Sequence, residues 1–209
     1  MLGRIAIACL AIFTAALMPL AWAEADTMPL LRADELLRGR FAQERVLDGF
    51  DAPLRSEGSF VLAPGVGLIW RAEKPFAVTT LMTPSGLAQQ SDGATTLNLP
   101  ASRAPFMAGL YDMLSGALAG DWRALERDFI VVKTVVAGKW VLQLTPKNSD
   151  GAQSLPIAQI NISGGEFVDR VEIVKPGGDR DSLTFVEQER VSAPLSADEQ
   201  SLLQGAGQP

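Results

Sequence analysis

The sequence contains no histidine, and its only cysteine is Cys9, close to the N-terminus. Without histidine the chain has no Ser-His-Asp triad, no Cys-His pair and no histidine-ligated zinc site. Without a second cysteine, thiolate metal sites and dithiol redox motifs are excluded as well. These absences predict a protein that is not an enzyme and that uses neither a metal nor a cofactor.

Paired carboxylates are the acid–base groups that remain. Asp179 and Asp181 lie two residues apart, as do Glu187 and Glu189, so each pair shares one face of a predicted strand. No companion residue marks either pair as catalytic. We therefore expect both pairs to lie on a solvated strand edge.

Basic residues are also few, because 18 Lys and Arg are set against 24 Asp and Glu, which gives a net charge of −6. The chain has no run of basic residues. Binding to nucleic acid depends on such positive charge. We therefore expect no nucleic-acid partner.

The N-terminal segment has the three parts of a cleavable export signal. Arg4 supplies positive charge, residues 5–20 form a largely apolar run, and Ala21-Trp22-Ala23 presents small residues where a signal peptidase reads them. The alternative is a permanent membrane anchor, since the run approaches the ~20 residues that span a bilayer. Pro19 and the Ala-x-Ala ending favour cleavage and predict a mature chain that begins at Glu24.

An export signal of this kind predicts a periplasmic protein. Residues 1–23 are then removed, and residues 24–209 form one domain with its core at about 28–190 and a C-terminal tail at 191–209. A domain of this length has enough core to be stable without disulfides. The absence of cysteine after the signal agrees with that interpretation.

Helical periodicity is confined to a few segments. Apolar residues at helical spacing predict a helix over 28–38 and another over 105–118, the second with an unusually wide, methionine-rich apolar face. Asp121 is placed to cap a further helical turn. Ser196 and Glu199 have the capping-box spacing at the start of a C-terminal helix.

Nearly everything else alternates between short apolar segments and turn residues, which is typical of strands. After the central helix, strands are predicted over 129–136, 140–145, 157–162, 167–174 and 183–190. Asp92-Gly93 is a typical hairpin turn. Regularly spaced strands joined by hairpins predict a mainly β fold with some α, an unclosed antiparallel β-barrel or strongly curved sheet covered by lid helices.

Such a sheet encloses an apolar interior, for which two interpretations remain open. One is a packed core, the usual role of buried apolar side chains. The other is a cavity for an acyl chain, because methionine side chains adapt to flexible ligands. The residues predicted to converge there, and to bind lipid if the interior is a cavity, are Phe60, Leu68, Trp70, Phe76, Met82, Phe106, Leu110, Met113 and Leu114.

Several short motifs follow one another in a fixed order across about residues 28–190. They are Gly39–Gln43, Gly58–Phe60, Pro64-Gly65, Leu68–Trp70, Glu73–Pro75, Pro105–Met107 and Trp140–Lys147. In this order they resemble the periplasmic outer-membrane lipoprotein carriers, the LolA-like family. The ending Leu-Thr-Pro-Lys of the last motif is among the more specific signals.

The resemblance implies that acyl chains of a lipidated protein or another lipid cargo occupy the interior while the carrier crosses the periplasm. It also implies an inner-membrane donor complex and an outer-membrane acceptor, with a carrier that acts as a monomer. The alternative function is a non-transporting periplasmic sensor or interaction domain on the same scaffold.

One position departs from the family pattern. In the family an arginine tied to lid closure precedes the proline of the second hairpin, and here that position is Ala63. Arg71 and Arg103 are the residues that could take its place. The departure predicts a divergent member with a different lipid or a narrower cargo.

Overall fold

The computed structural model describes residues 30–103, 106–147 and 157–207. In chain order its elements are β1 (Glu35–Val46), β2 (Leu54–Ala63), β3 (Gly67–Lys74), β4 (Val78–Thr83), β5 (Gly86–Ser91), β6 (Ala94–Pro100), α1 (Phe106–Ala119), α2 (Trp122–Leu125), β7 (Phe129–Val136), β8 (Lys139–Pro146), β9 (Gln159–Gly164), β10 (Val168–Val174), β11 (Arg180–Ser192) and α3 (Ala197–Gln204). The predicted signal segment and the predicted start at Glu24 lie outside the described residues. Within the described ranges, no helix has the length and apolar character needed to cross a membrane.

The described strands form one antiparallel sheet of eleven strands in the order β6-β5-β4-β3-β2-β1-β11-β10-β9-β8-β7. Each half of the sheet is a meander, in which sequence neighbours pair with each other. The long central strands β1 and β11 join the two halves, with Phe41 opposite Phe185. Because β6 and β7 lie at opposite ends of the order, the sheet does not close into a barrel. The predicted fold class is confirmed.

The inner face of the sheet packs against α1 and α2. We call this set of buried side chains the interior cluster: Leu31, Leu37, Phe41, Phe60, Leu62, Leu68, Tyr111, Met113, Ala117, Leu118, Leu125, Phe129, Trp140, Leu142, Leu144, Ile160, Ile162, Val168, Val171, Leu183 and Phe185. The opposite, outer face packs against α3. Its buried side chains form the outer cluster: Leu36, Val61, Ala63, Ile69, Leu81, Ala88, Leu195, Leu203 and Ala206.

The helix predicted over 28–38 is wrong, because β1 already begins at Glu35. Leu36 packs in the outer cluster and Leu37 in the interior cluster. Adjacent apolar residues therefore face opposite sides of a strand that is covered on both faces. The same pair also fits helical spacing, so periodicity alone does not distinguish the two structures.

The other helices agree with the sequence. Helix α1 lies within one residue of 105–118 at each end, and α2 follows Asp121 as predicted. Helix α1 ends in a Schellman arrangement, in which Gly120 has a φ of 80° and the backbone N–H of Asp121 donates to the carbonyl of Gly116 at 2.8 Å. The positive φ explains the glycine at this position.

The predicted capping box at the start of α3 is confirmed, and it includes a residue that also anchors the helix. The backbone N–H of Glu199 donates to Ser196 Oγ at 3.3 Å, and the backbone N–H of Ser196 donates to Glu199 Oε2 at 3.0 Å. The same Glu199 carboxylate accepts two hydrogen bonds from Arg38 on β1, at 2.7 and 2.9 Å. The Glu199 side chain is only 8% exposed. Hydrogen bonding to Arg38 is the main cause that lowers its pKa to about 2.

This shifted pKa predicts how stability depends on pH. Since the folded-state pKa lies below the ordinary 4.5, the pair stabilises the fold above about pH 4.5 and is lost as the pH falls toward 2. We expect Glu199→Gln to lower the free energy of unfolding at pH 7 by about 2–3 kcal/mol, and most of this difference to disappear at pH 2. Urea denaturation at both pH values measures the effect. Asp198→Asn, at an exposed position of the same helix, is the control, and an effect of Glu199→Gln that does not change with pH would contradict the prediction.

One of the paired carboxylates lies elsewhere than predicted. Asp181 is 5% exposed, so its placement on a solvated edge is wrong. Its carboxylate accepts a hydrogen bond from Arg45 at 2.5 Å and pairs with Lys175 at 2.8 Å. Burial opposes its ionisation, but the two cations outweigh burial and lower its pKa. Glu187 and Glu189 are exposed, as predicted.

Candidate functional site

The interior cluster is the largest apolar feature of the described chain that a helix covers, and aromatic rings lie at its centre. Phe41 and Trp70 stack with their ring centroids 3.8 Å apart. Phe60 and Phe185 meet edge to face at 5.5 Å, and Trp70 lies 6.1 Å from each of these two rings. Rings that pack in this way present a continuous apolar wall on the inner face of the central strands.

A glycine on β1 makes room for this wall. A Cβ atom at Gly39 would lie 2.7 Å from the Phe60 ring and 3.0 Å from Cγ of Gln188. Both side chains therefore occupy the space in front of Gly39, on the side of the interior cluster. Opposite Gly39 the register of β11 shifts between Val186 and Glu189, which is a β-bulge and bends the strand locally.

A second aromatic contact joins the lid helices to the far half of the sheet. Trp122 of α2 and Trp140 of β8 lie with ring centroids 5.0 Å apart. The indole N–H of Trp140 donates to the carbonyl of Gly165 at 2.6 Å. This hydrogen bond satisfies the polar end of a ring whose body is buried.

Six of the nine residues predicted to line the interior lie in the interior cluster or pack against it: Phe60, Leu68, Trp70, Met82, Met113 and Leu114. They come from strands β2, β3 and β4 and from α1, which the sheet order brings together. The side chains of Phe106 and Leu110 lie outside the described residues. Lipid binding by this set stays a prediction.

Phe76 does not belong to the interior, because its side chain is 77% exposed. It lies in the turn between β3, which ends at Lys74, and β4, which begins at Val78. The alternation that places Met82 on the inner face does not extend back through that turn. The predicted interior position of Phe76 is therefore wrong.

The far half of the sheet contributes interior residues that the prediction omitted. They alternate along β8, β9 and β11: Trp140, Leu142, Leu144, Ile160, Ile162, Leu183 and Phe185. Their period of two marks one buried face, so the sequence does carry a signal for them. What the sequence lacks is the β1–β11 pairing that places this face beside the first half of the sheet.

Two polar atoms of the described chain are buried without a hydrogen-bond partner there: Tyr111 Oη and Gln188 Oε1. Tyr111 belongs to the interior cluster and is 3% exposed, and burial raises its pKa although the nearby Ser115 hydroxyl opposes the rise. Gln188 donates through Nε2 to the carbonyl of Val168 at 2.8 Å, which leaves only its oxygen unpaired. Nothing in the sequence identifies these atoms, since satisfaction of a buried polar group depends on tertiary contacts.

Ala63, which occupies the position of the family's lid arginine, does not lie beside the lid helix α1. Ala63 is buried in the outer cluster under α3, on the face of the sheet opposite α1. Arg71 follows Trp70 along β3, so it lies on the outer side of that strand as well. Arg103 is exposed in the turn that precedes α1. Of these three residues, only Arg103 is placed near the lid helix.

Among the described residues no group of three or more side chains is arranged to hold a metal ion. The described residues of the site offer an apolar wall, a covering helix and two buried polar atoms without a hydrogen-bond partner among them.

Comparison with known proteins gives one family. A family model described as outer membrane lipoprotein carrier protein LolA-like matches residues 31–185. Matching solved structures include a LolA superfamily protein from Nitrosomonas europaea, with 10% identity, coverage of 82% of this chain and 92% of that chain, and a TM-score of 0.42. A DUF1329 family protein from Desulfovibrio piger matches with 9% identity, coverage of 86% and 93%, and a TM-score of 0.41. The Pseudomonas aeruginosa MucA/MucB complex matches with 17% identity, coverage of 80% and 56%, and a TM-score of 0.33. No curated protein matches this sequence.

Proposed function

Because the chain belongs to the LolA-like family of outer membrane lipoprotein carrier proteins, we propose that it is a periplasmic carrier of acyl chains. The cargo is a lipidated protein or another lipid, and its chains occupy the space between the inner face of the sheet and α1. The carrier receives its cargo from an inner-membrane donor complex and delivers it to an outer-membrane acceptor. It acts as a monomer and makes no covalent bond, so it is not an enzyme.

The observation that carries this proposal is the interior cluster, which is apolar on both its walls. One wall is the sheet, with the rings of Phe60 and Trp70, and the other is α1, with Met113 and Leu114. Methionine on the covering helix suits ligands of irregular shape. Each methylene group of the cargo that moves from water into this interior contributes roughly 0.8 kcal/mol to the free energy of binding. An acceptor must therefore offer comparable burial before the cargo leaves.

Helix α1 is attached to the rest of the protein by contacts that can open. At its C-terminal end the carbonyl of Ala119 accepts a hydrogen bond from the backbone N–H of Leu31 at 2.8 Å. On its outer side Asp112 pairs with Arg127 at 3.1 Å, and both side chains are largely exposed, so this pair adds little stability. Among the described side chains of α1, the remaining attachment is apolar burial, which an acyl chain can replace.

We expect the backbone amides of α1 to exchange with deuterium faster than those of β8. Strand β8 is hydrogen-bonded along both of its edges, to β7 and to β9. Helix α1 has no such backbone hydrogen bonds to a neighbouring element along its length within the described residues. Segments with fewer such attachments open more easily. Hydrogen–deuterium exchange with mass spectrometry measures the difference. Strand β7 is unsuitable as a reference because it lies at an edge of the sheet. Equal protection of α1 and β8 would show that α1 is a fixed wall.

The proposal is tested by purifying the protein from a periplasmic extract and analysing its organic-solvent extract by mass spectrometry. A carrier should release an acyl lipid in a molar ratio near one, and a variant with a charge in the interior should release none. Recovery of an empty protein from cells that contain its cargo would reject the carrier function.

The second candidate function is a non-transporting interaction domain, and the edge strand β7 favours it. Four large apolar side chains of this strand are more than half exposed: Ile130, Val132, Val135 and Val136. The outer edge of β7 pairs with no other described strand. An extended segment of a partner protein could add to such an edge. An empty interior together with capture of a peptide on β7 would support this function instead.

A further inference from the structure

The hydroxyl of Tyr111 is an unexplained polar group at the site of the proposed cargo. It lies on α1 within the interior cluster, its residue is 97% shielded from solvent, and its Oη has no hydrogen-bond partner among the described residues. Buried hydroxyls are normally paired, because an unpaired one destabilises the fold. Phenylalanine would fill the same space without this disadvantage. Within the described residues the Tyr111 hydroxyl is therefore available to a bound ligand.

Gln188 supplies a second such group on the opposite wall. Its side chain lies beside Gly39 and the Phe60 ring, and its Nε2 donates to the carbonyl of Val168 at 2.8 Å. That hydrogen bond fixes the orientation of the Gln188 side-chain amide. Its Oε1 atom remains buried without a donor among the described residues. Among the described residues, the interior therefore has a donor on the lid helix and an acceptor on the sheet that lack partners.

We propose that these two atoms bind the linkage group of an acylated cargo, an inference that rests on the carrier function. An acyl chain joins its headgroup through an ester or an amide. The carbonyl oxygen of that linkage accepts a hydrogen bond from the Tyr111 hydroxyl, and an amide N–H or a hydroxyl beside it donates to Gln188 Oε1. The hydrocarbon tails then pack against the apolar walls.

This assignment makes the carrier selective for acyl lipids over alkyl lipids. A site with a buried hydrogen-bond donor discriminates against a ligand that lacks the matching acceptor, because the donor then stays unpaired in the complex. Apolar packing alone does not discriminate, since ester and ether lipids of equal chain length bury similar hydrocarbon. Binding should therefore depend on the carbonyl.

The experiment compares two fluorescent glycerolipids of equal chain length, one with ester-linked chains and one with ether-linked chains. The wild-type protein should bind the ester at least fivefold more tightly. Tyr111→Phe should lower the affinity for the ester to that for the ether and leave the ether affinity unchanged. The variant without ligand should also melt a few degrees higher, because the unpaired hydroxyl is gone. Gln188→Met is tested in parallel with an N-acyl amine and its N-methylated form, and it should abolish the preference for the free N–H.

The outcomes separate the two proposals. A wild-type protein that binds neither lipid contradicts the carrier function itself. Equal binding of ester and ether by the wild-type protein contradicts the linkage site and leaves the carrier function intact. An ester preference that survives in Tyr111→Phe shows that another group recognises the carbonyl and overturns the role of Tyr111.

Discussion

Replacement of Leu114 by aspartate should abolish the binding of a fluorescent fatty-acid analogue. Leu114 lies on α1, is partly buried, and packs against the interior cluster. A carboxylate at this position places an unpaired charge among acyl chains, which costs several kcal/mol, so we expect the affinity to fall by more than tenfold. Because Leu114 is not fully buried, the empty protein should still fold with its charged side chain turned toward solvent.

Arg123→Asp is the control, since it places the same side chain on α2, the other helix that covers the interior. Arg123 is exposed on α2, so a charge at this position stays in solvent. Binding by this variant should remain close to that of the wild type. If Leu114→Asp is folded by circular dichroism and binds the probe normally, the acyl chains do not lie under α1.

Gly58→Ala should produce the largest loss of stability among single methyl additions to the sheet. A Cβ atom at Gly58 would lie 1.8 Å from the carbonyl oxygen of Arg71 on β3. That oxygen is part of the backbone, so a side-chain rotation cannot relieve the contact. The strands must separate at the register shift between Glu57 and Gly58. We expect the free energy of unfolding to fall by more than about 3 kcal/mol.

Gly165→Ala provides the comparison for this effect. No atom lies within 4 Å of a Cβ atom built at Gly165, and its φ is not in the left-handed region. Its replacement should change the free energy of unfolding by less than about 1 kcal/mol. Guanidinium denaturation of the two variants beside the wild type measures both values, and similar losses for both would contradict the close approach of β2 and β3.

Local signals in the sequence predicted local structure well. The hairpin at Asp92-Gly93, where both residues have positive φ, and the capping box of Ser196 and Glu199 each depend on a few neighbouring residues. The helix predicted over 28–38 was wrong because Leu36 and Leu37 fit two periodicities. Only pairing with β2 and β11 determines that this segment is a strand.

The candidate site was predictable only where its residues alternate within one strand. Phe60, Leu68 and Trp70 were found in this way, whereas Phe76 was misplaced because a turn interrupts the alternation. The environment of Ala63 and the unpaired atoms of Tyr111 and Gln188 depend on which elements cover each face. That information is distributed over distant parts of the chain, so no single motif contains it.

The junction between β1 and β11 has a consequence for how the chain reaches its folded state. Each meander can form from contacts between neighbours in sequence, which are quick to find, but β1 pairs with β11 only after nearly the whole chain is available. Until then one edge of the central strand β1 is an open template for strands of other molecules. The chain is therefore most prone to aggregate late in its synthesis or export, and a holding chaperone is most useful before β11 arrives.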